Sequence, residues 1–189
     1  MFSLTTPRLL IRPCHNDDIP QLVDAVQESV ETVGRWLSWC TREYDAVKCT
    51  QWVMHCKHHI QAGIAFDFGI FNQASGELVG AIGINNIQPM YQMGNIGYWV
   101  RQSAQRQGIA LEAVDAIIRF GFEQLGLTRL EIVAAEHNRP SRRVAEKTGA
   151  HFEGIARNRL IVGNRLLNAA MYSLIPADRD FMRGEKVTM

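Results

Sequence analysis

The residues best placed to do chemistry are Gln105-Arg106-Gln107-Gly108-Ile109-Ala110. An apolar run from Ile96 to Val100 leads into them, and an amphipathic run from Ile109 to about Leu125 leaves them. Strand, glycine-bearing loop, helix is an order that aims unpaired backbone N–H groups and the positive end of a helix at one point. Such a point suits an anion, above all a phosphate. Two familiar phosphate loops do not fit. The Walker pattern requires Lys-Ser/Thr after a second glycine, and Gly108-Ile109-Ala110 has neither. The dinucleotide fingerprint requires three glycines, and only Gly108 is present.

Downstream, Asn138-Arg139-Pro140-Ser141 is a turn-rich link that places a hydroxyl at the start of another helix. Asp67, His137 and Glu153 are candidate proton acceptors, alone or through water. Cys49, His55, Cys56, His58 and His59 carry metal-binding groups. Their spacing does not match a two-Cys, two-His zinc finger and they fall on a predicted helix, so no metal is expected there.

The elements that must hold these groups follow from hydrophobic period and breakers. Arg8 to Pro13 reads as a first strand. Asn16, Asp17 and Asp18 offer an N-cap and acidic first turn to a helix running to about Val30. Trp36 and Trp39, three positions apart, would share a face on a helical turn. A second helix spans about Val47 to Gln61 and is closed by Gly63. Ile64 to Phe71 alternates as a strand, with Asp67 on the face of Ala65 and Gly69. Leu78 to Ile84 pairs back as a hairpin, and Asn95 to Val100 is a further strand. Arg129 to Ala135 is the next strand, Ser141 to Thr148 a short helix, and His151 to Asn158 and Leu166 to Ile175 two closing strands. The pattern predicts one α/β domain over residues 1–189, with a core at about 7–176 and a charged tail from 177 to 189.

Bulk properties narrow the function classes. A formal net charge of +1 gives no electrostatic case for gripping nucleic acid. No apolar run is long enough to cross a bilayer, and the N-terminal stretch does not read as a secretory signal. The cysteines Cys14, Cys40, Cys49 and Cys56 read as reduced thiols of a cytoplasmic protein.

Gln105-x-x-Gly108-x-Ala110 resembles the acyl-CoA pyrophosphate loop of the GCN5-related N-acetyltransferases, the GNAT superfamily. Asn138-x-x-Ser141, Lys147-Thr148-Gly149, the first strand at Arg8 to Arg12 and Gly97-Tyr98-Trp99-Val100 are similar to segments of the same family. The matches cover roughly residues 7–176. Ile96-Gly97-Tyr98-Trp99, Ser141 and Met171-Tyr172-Ser173-Leu174 resemble the RimJ/RimL type, which acetylates protein N-termini such as those of ribosomal proteins.

The resemblance implies a mixed, largely antiparallel sheet of about seven strands flanked by about four helices, with splayed central strands forming an acyl-CoA cleft. It implies acetyl-CoA as cosubstrate, bound by Trp99, Val100, Arg101, Gln105, Arg106, Gln107, Gly108, Ile109, Ala110, Asn138 and Ser141. It implies direct attack by an amine without an acyl-enzyme, and a homodimer is open from the family alone. Many relatives place a tyrosine seven positions after the asparagine, where this chain has Ala145. Ser141 is then the candidate donor to the leaving thiolate, its other role being to cap its helix. RimL-like enzymes carry a glutamate where this chain has Arg157-Asn158-Arg159-Leu160, which leaves the base open among Asp67, His137 and Glu153. Trp36 and Trp39 could line an acceptor pocket or pack in the core. Arg139, Arg142 and Arg143 could meet the adenosine phosphate or face water. The expected function is transfer of acetyl from acetyl-CoA to a protein N-terminal amine. The alternatives are a small-amine acetyltransferase and a non-catalytic acyl-CoA-binding module. A peptide acceptor predicts an open cleft, and a small amine predicts a closed, acidic pocket.

Overall fold

The computed structural model describes residues 3–179. Most of the predicted tail, residues 180–189, lies outside them. Eight strands form one sheet in the order β1-β2-β3-β4-β5-β6-β8-β7. They are β1 (Leu4–Thr5), β2 (Leu9–Arg12), β3 (Phe66–Asn72), β4 (Leu78–Gln88), β5 (Met93–Val100), β6 (Arg129–Ala135), β7 (His151–Val162) and β8 (Arg165–Leu174). The helices are α1 (Ile19–Glu28), α2 (Ala46–Ala62), α3 (Ile109–Arg119) and α4 (Arg139–Lys147). The strand beyond the seven expected is the two-residue β1, too short to carry an alternation signal.

Strand alternation sorts the sheet into two faces. Cross-strand register puts Phe68, Ile82 and Tyr98 on one side, with Ile84 and Ile96. This side packs on α3 and α4 through Ile109, Val114, Ile117 and Ala145. Phe71, Ala81 and Trp99 face the other side, against Leu22, Ala25 and Val26 of α1 and Cys49 of α2. Each fully buried aliphatic side chain contributes about 1.5–3 kcal/mol, so the two apolar layers fix which face every polar residue on these strands must occupy.

Several boundaries differ from expectation for local reasons. The amphipathic run after Gly108 is α-helical only to Arg119. Phe120–Gln124 then forms a π turn, closed by the Leu125 N–H on the Phe120 carbonyl at 3.1 Å. Gly121 in that turn permits close contact with the sheet, since a β carbon there would lie 2.9 Å from Ile84 and Leu130 methyls. Strand β4 runs on to Gln88 because it stays paired with β5 as far as Met93. The segment of Trp36 and Trp39 is a series of turns rather than a helix. Asp18 does stand at the N-cap of α1, but its carboxylate makes no cap bond there. It accepts from the His15 N–H at 2.7 Å and pairs with Arg12.

The feature that prepares the site is the β5–β6 seam. These strands run parallel and pair only at Met93↔Arg129, Gly94↔Leu130 and Asn95↔Glu131. From Ile96 to Val100, β5 keeps its antiparallel partner β4, while β6 pairs onward with β8. The β6-facing backbone edge of β5 therefore has no strand partner over these residues.

Candidate active site

At one end of the opened seam lies the loop of Gln105 to Ala110. Arg106 and Gly108 both take left-handed backbone, at φ 63° and 80°. Gly108 occupies the N-cap position of α3 and makes no side-chain cap. The backbone N–H groups of residues 106 to 111 find no protein acceptor among the described residues, the first satisfied amide being that of Glu112 on the Gly108 carbonyl at 3.1 Å. Unpaired amides on successive residues at a helix N-terminus form an anion cradle.

Side chains brace this cradle from outside. Gln105 donates to the Val100 carbonyl at 3.0 Å and to Thr32 at 3.1 Å, which ties the loop back to its strand. Arg8 donates to the Gln107 carbonyl at 2.9 Å and pairs with Glu112 at 2.7 Å. Arg101 pairs with Glu28 at 2.6 Å and Glu77 at 2.9 Å, and its amide bonds the Val79 carbonyl. Of the residues expected to hold the cofactor, Arg101 and Gln105 thus support the loop through their side chains. The amides of Arg106, Gln107, Gly108, Ile109 and Ala110 are left without a protein acceptor among the described residues, whereas on β5 the Trp99 backbone faces β4 and the Val100 carbonyl already accepts from Gln105, which leaves the Tyr98 backbone and the Val100 N–H on the seam side.

Across the seam, α4 begins at Arg139, two residues before the expected start at Ser141. Asn138 caps it, its side-chain oxygen accepting from the Ser141 N–H at 3.3 Å. Ser141 is therefore not the cap. Its hydroxyl lies 3.0 Å from the phenol of Tyr98, which is also 3.0 Å from the Ser141 carbonyl. Burial pushes the Tyr98 phenol up to about 12, so it stays protonated at neutral pH. This places a phenol beside Ser141 from β5, although Ala145, the usual tyrosine position in α4, is fully buried in the core. Sequence spacing did not reveal Tyr98. The signal was its place on the α4 side of a strand whose partner departs.

The remaining candidates separate cleanly. Glu153 is held by Arg129 at 2.6 Å and by Ser173 at 2.8 Å, and the Arg129 hydrogen bond pulls its carboxyl down to about 2. A carboxylate that acidic and engaged is a poor proton acceptor. His137 is an exposed turn residue. Asp67 is half-buried, and burial raises its carboxyl to about 6. Trp39 packs edge-on against Trp99 with ring centroids 5.7 Å apart, while remaining 42% exposed. Arg142 is turned inward to the Tyr172 hydroxyl and Glu136 carbonyl, and Arg143 pairs with Glu146. The four cysteines are free, and burial raises each thiol, Cys14 to about 12, so none is a ready nucleophile. Among the described residues no group of three or more His, Cys, Asp or Glu side chains is placed to hold a metal, and no helix is long and apolar enough to cross a membrane.

An anion cradle at a helix start, an unpaired strand edge beside it and the hydroxyls of Tyr98 and Ser141 across the seam make a site suited to a long, phosphate-bearing ligand. Comparison with known proteins gives the family. The model of the acetyltransferase (GNAT) domain matches residues 8–151, and the chain belongs to that family. It is 30% identical over 163 residues to the ribosomal-protein-serine acetyltransferase of Escherichia coli, covering 85% of this chain and 87% of that protein. A solved Vibrio cholerae structure, provisionally described as a ribosomal-protein-serine acetyltransferase, shares 34% identity and a TM-score of 0.82 over 93% of this chain and 98% of its own. RimL, the ribosomal L7/L12 α-N-protein acetyltransferase, solved with coenzyme A, has the same fold at a TM-score of 0.84 and 23% identity, over 92% of this chain and 98% of its own. The protein is an acetyl-CoA-dependent N-acetyltransferase.

Proposed function

We propose that this protein, as a single catalytic domain, acetylates the N-terminal α-amine of a protein in the cytoplasm. A ribosomal protein is the acceptor class to which its relatives' names point. The observation that carries the peptide reading is the shape and chemistry of the acceptor side. Where β5 and β6 still pair, a cavity of about 310 Å³ opens beside the seam, where the apolar Ile87 and Met93 line it together with Asn86, Gln88, Asn95, Glu131 and Arg159. Amide side chains and one charge of each sign suit a peptide backbone. A closed acidic pocket, the form expected for a polyamine, is not what these residues build.

The pyrophosphate of acetyl-CoA sits on the amides of residues 106 to 110, with Gly108 allowing the approach. The pantetheine arm pairs with the seam-facing edge of β5 at Tyr98 and Val100 as an added strand, where the same edge can polarise the thioester carbonyl. The amine attacks directly, in keeping with the protonated state of the buried thiols. Ser141, set by Asn138 and Tyr98, supplies a hydrogen-bond donor to the departing sulfur.

The test is a thiol-release assay with acetyl-CoA and a panel of peptides, amino acids and polyamines, followed by mass spectrometry to locate the acetyl group. Acetylation at the α-nitrogen of peptides above that of small amines is the expected outcome. Preference for a polyamine would overturn the acceptor reading, and tight CoA binding without turnover on any amine would overturn catalysis.

A further inference from the structure

Asp67 is the second residue of β3, on the face covered by α1 and α2, and neither cofactor binding nor thiolate departure uses it. Register places it opposite Gly83 on β4, and Gly83 opposite Gly97 on β5. A β carbon on Gly83 would stand 2.2 Å from Asp67 Oδ1, so the carboxylate lies over Gly83. A β carbon on Gly97 would meet nothing closer than the Asn85 amide at 3.3 Å. The row from Asp67 across the sheet is thus a floor without side chains, and it ends at the free edge of β5. Its walls are the neighbouring rows. Trp99 stands on one side with Trp39 against it, and Asn85 and Asn95 stand on the other, joined at 3.0 Å.

Neighbouring strands are about 4.8 Å apart, so an oxygen above β4 is about one strand spacing from β5, a gap that one water spans. The carboxylate has no hydrogen bond or ion pair among the described residues. Secluded carboxylates are ordinarily paired or hydrogen-bonded. One left bare at the end of a row of glycines is available to a ligand, and the ligand it suits is a cation.

We propose that Asp67 is the group that draws the acceptor ammonium into the trough and takes its proton through one bridging water. This rests on the N-acetyltransferase reading of the seam. The two halves of the reaction then fall on opposite faces of the sheet. Tyr98 and Ser141 stand on the α4 side and Asp67 on the α1–α2 side, with the opened seam as the window between them.

The step balances as follows. The ammonium gives one proton to the Asp67 carboxylate, and the freed nitrogen pair forms the bond to the thioester carbon while the carbonyl π pair moves to oxygen. On collapse the C–S bond breaks with its pair on sulfur. The surplus proton of the attached nitrogen passes to sulfur, which Ser141 steadies by a hydrogen bond, and Asp67 returns the first proton to solvent. The result is amide, free thiol and one released proton.

The environment suits the role. The titratable group on α2 that interacts with Asp67 is the thiol of Cys56, and Cys14, just after β2, packs over Gly69 further along β3; burial raises both thiols, so both are neutral. Gly83, Asn85, Asn95, Gly97 and Trp99 on β4 and β5 carry no charge. A carboxyl at about 6, raised by burial, is ionised at neutral pH yet basic enough to compete for a proton.

The test is Asp67→Asn, with Asp67→Glu as the conservative variant, assayed on whichever amine the wild type acetylates. Failure of the N-terminal acceptor reading therefore leaves this test intact. Turnover should fall by about 10²–10³-fold in Asp67→Asn with acetyl-CoA affinity by calorimetry unchanged, and Asp67→Glu should recover part of the loss. In the wild type, kcat/KM should rise through pH about 6, in addition to the limb from the amine itself at about 8. Only the lower limb should vanish in Asp67→Asn. Thermal stability separates a chemical role from a structural one. A carboxyl whose folded pKa is raised opposes folding once pH exceeds its unfolded value. Asp67→Asn should therefore melt no lower than the wild type at pH 8. Wild-type turnover with the lower limb intact would overturn the proposal, as would a loss of turnover that tracks a lower melting temperature or lost acetyl-CoA binding.

Discussion

Two helices begin beside the same opened seam, and they begin in opposite ways. At α3 the amides of residues 106 to 111 have no protein acceptor among the described residues, and the N-cap is Gly108, which has no side chain to offer. At α4 every first-turn donor is served. Arg139 N–H bonds the His137 carbonyl, Pro140 has no N–H, Ser141 N–H bonds the Asn138 side chain, and Arg142 N–H bonds the Asn138 carbonyl. A bare helix start is a ligand site because its donors lose hydrogen bonds unless an anion or water supplies them. A filled start binds nothing through its backbone, but it releases its side chains. Because Asn138 does the capping, the Ser141 hydroxyl turns to Tyr98.

Mutation can break this contrast, and the largest effect belongs to the filled end. Ser141→Ala should lower kcat by about 100-fold while the acetyl-CoA KM moves by no more than about twofold. Steady-state thiol release reads both, and unchanged turnover would reduce Ser141 to a helix residue. At the bare end, Gly108→Val forces a β-branched residue into φ 80°, a strain of about 1–3 kcal/mol. Acetyl-CoA binding should weaken by about 10–100-fold in calorimetry, with kcat at saturation affected far less.

Tyr98→Phe should cost about tenfold in kcat by itself and little more in a Ser141→Ala background. A double-mutant cycle gives the coupling, and independent effects would mean that the phenol does not work through the serine. The smallest effect is expected from Asn138→Ala. Losing the cap should cost about 1 kcal/mol of stability, seen as a lower melting temperature, with acetyl-CoA affinity unchanged. If affinity fell as it does for Gly108→Val, both helix starts would be binding cofactor and the contrast would fail.

Local signals read well wherever one residue dominates the backbone. Gly63 closes α2 in left-handed conformation as expected, Gly108 marks the start of α3, and the alternation of Arg129 to Ala135 gives β6 at its observed bounds. Signals failed where two elements compete for one segment. Ser141 looks like a cap from its neighbours, but the helix starts two residues earlier and Asn138 caps it by accepting from the Ser141 N–H. Glu153 and Asp67 are indistinguishable carboxylates in the chain. One is pinned by Arg129, and the other faces two glycines from other strands.

The sequence alone determined that a glycine-bearing loop joins an apolar strand to a long helix, that Asn138 and Ser141 open the next helix, and that the whole resembles an acetyl-CoA-dependent transferase. Those are matters of spacing along the chain, where backbone conformation and hydrophobic period leave their mark. Only the tertiary structure decided that β5 and β6 part after Asn95, that Tyr98 meets Ser141 on one face and that Asp67 lies over Gly83 on the other. Strand alternation gives each residue a side, but which residues share a row depends on register between strands far apart in sequence.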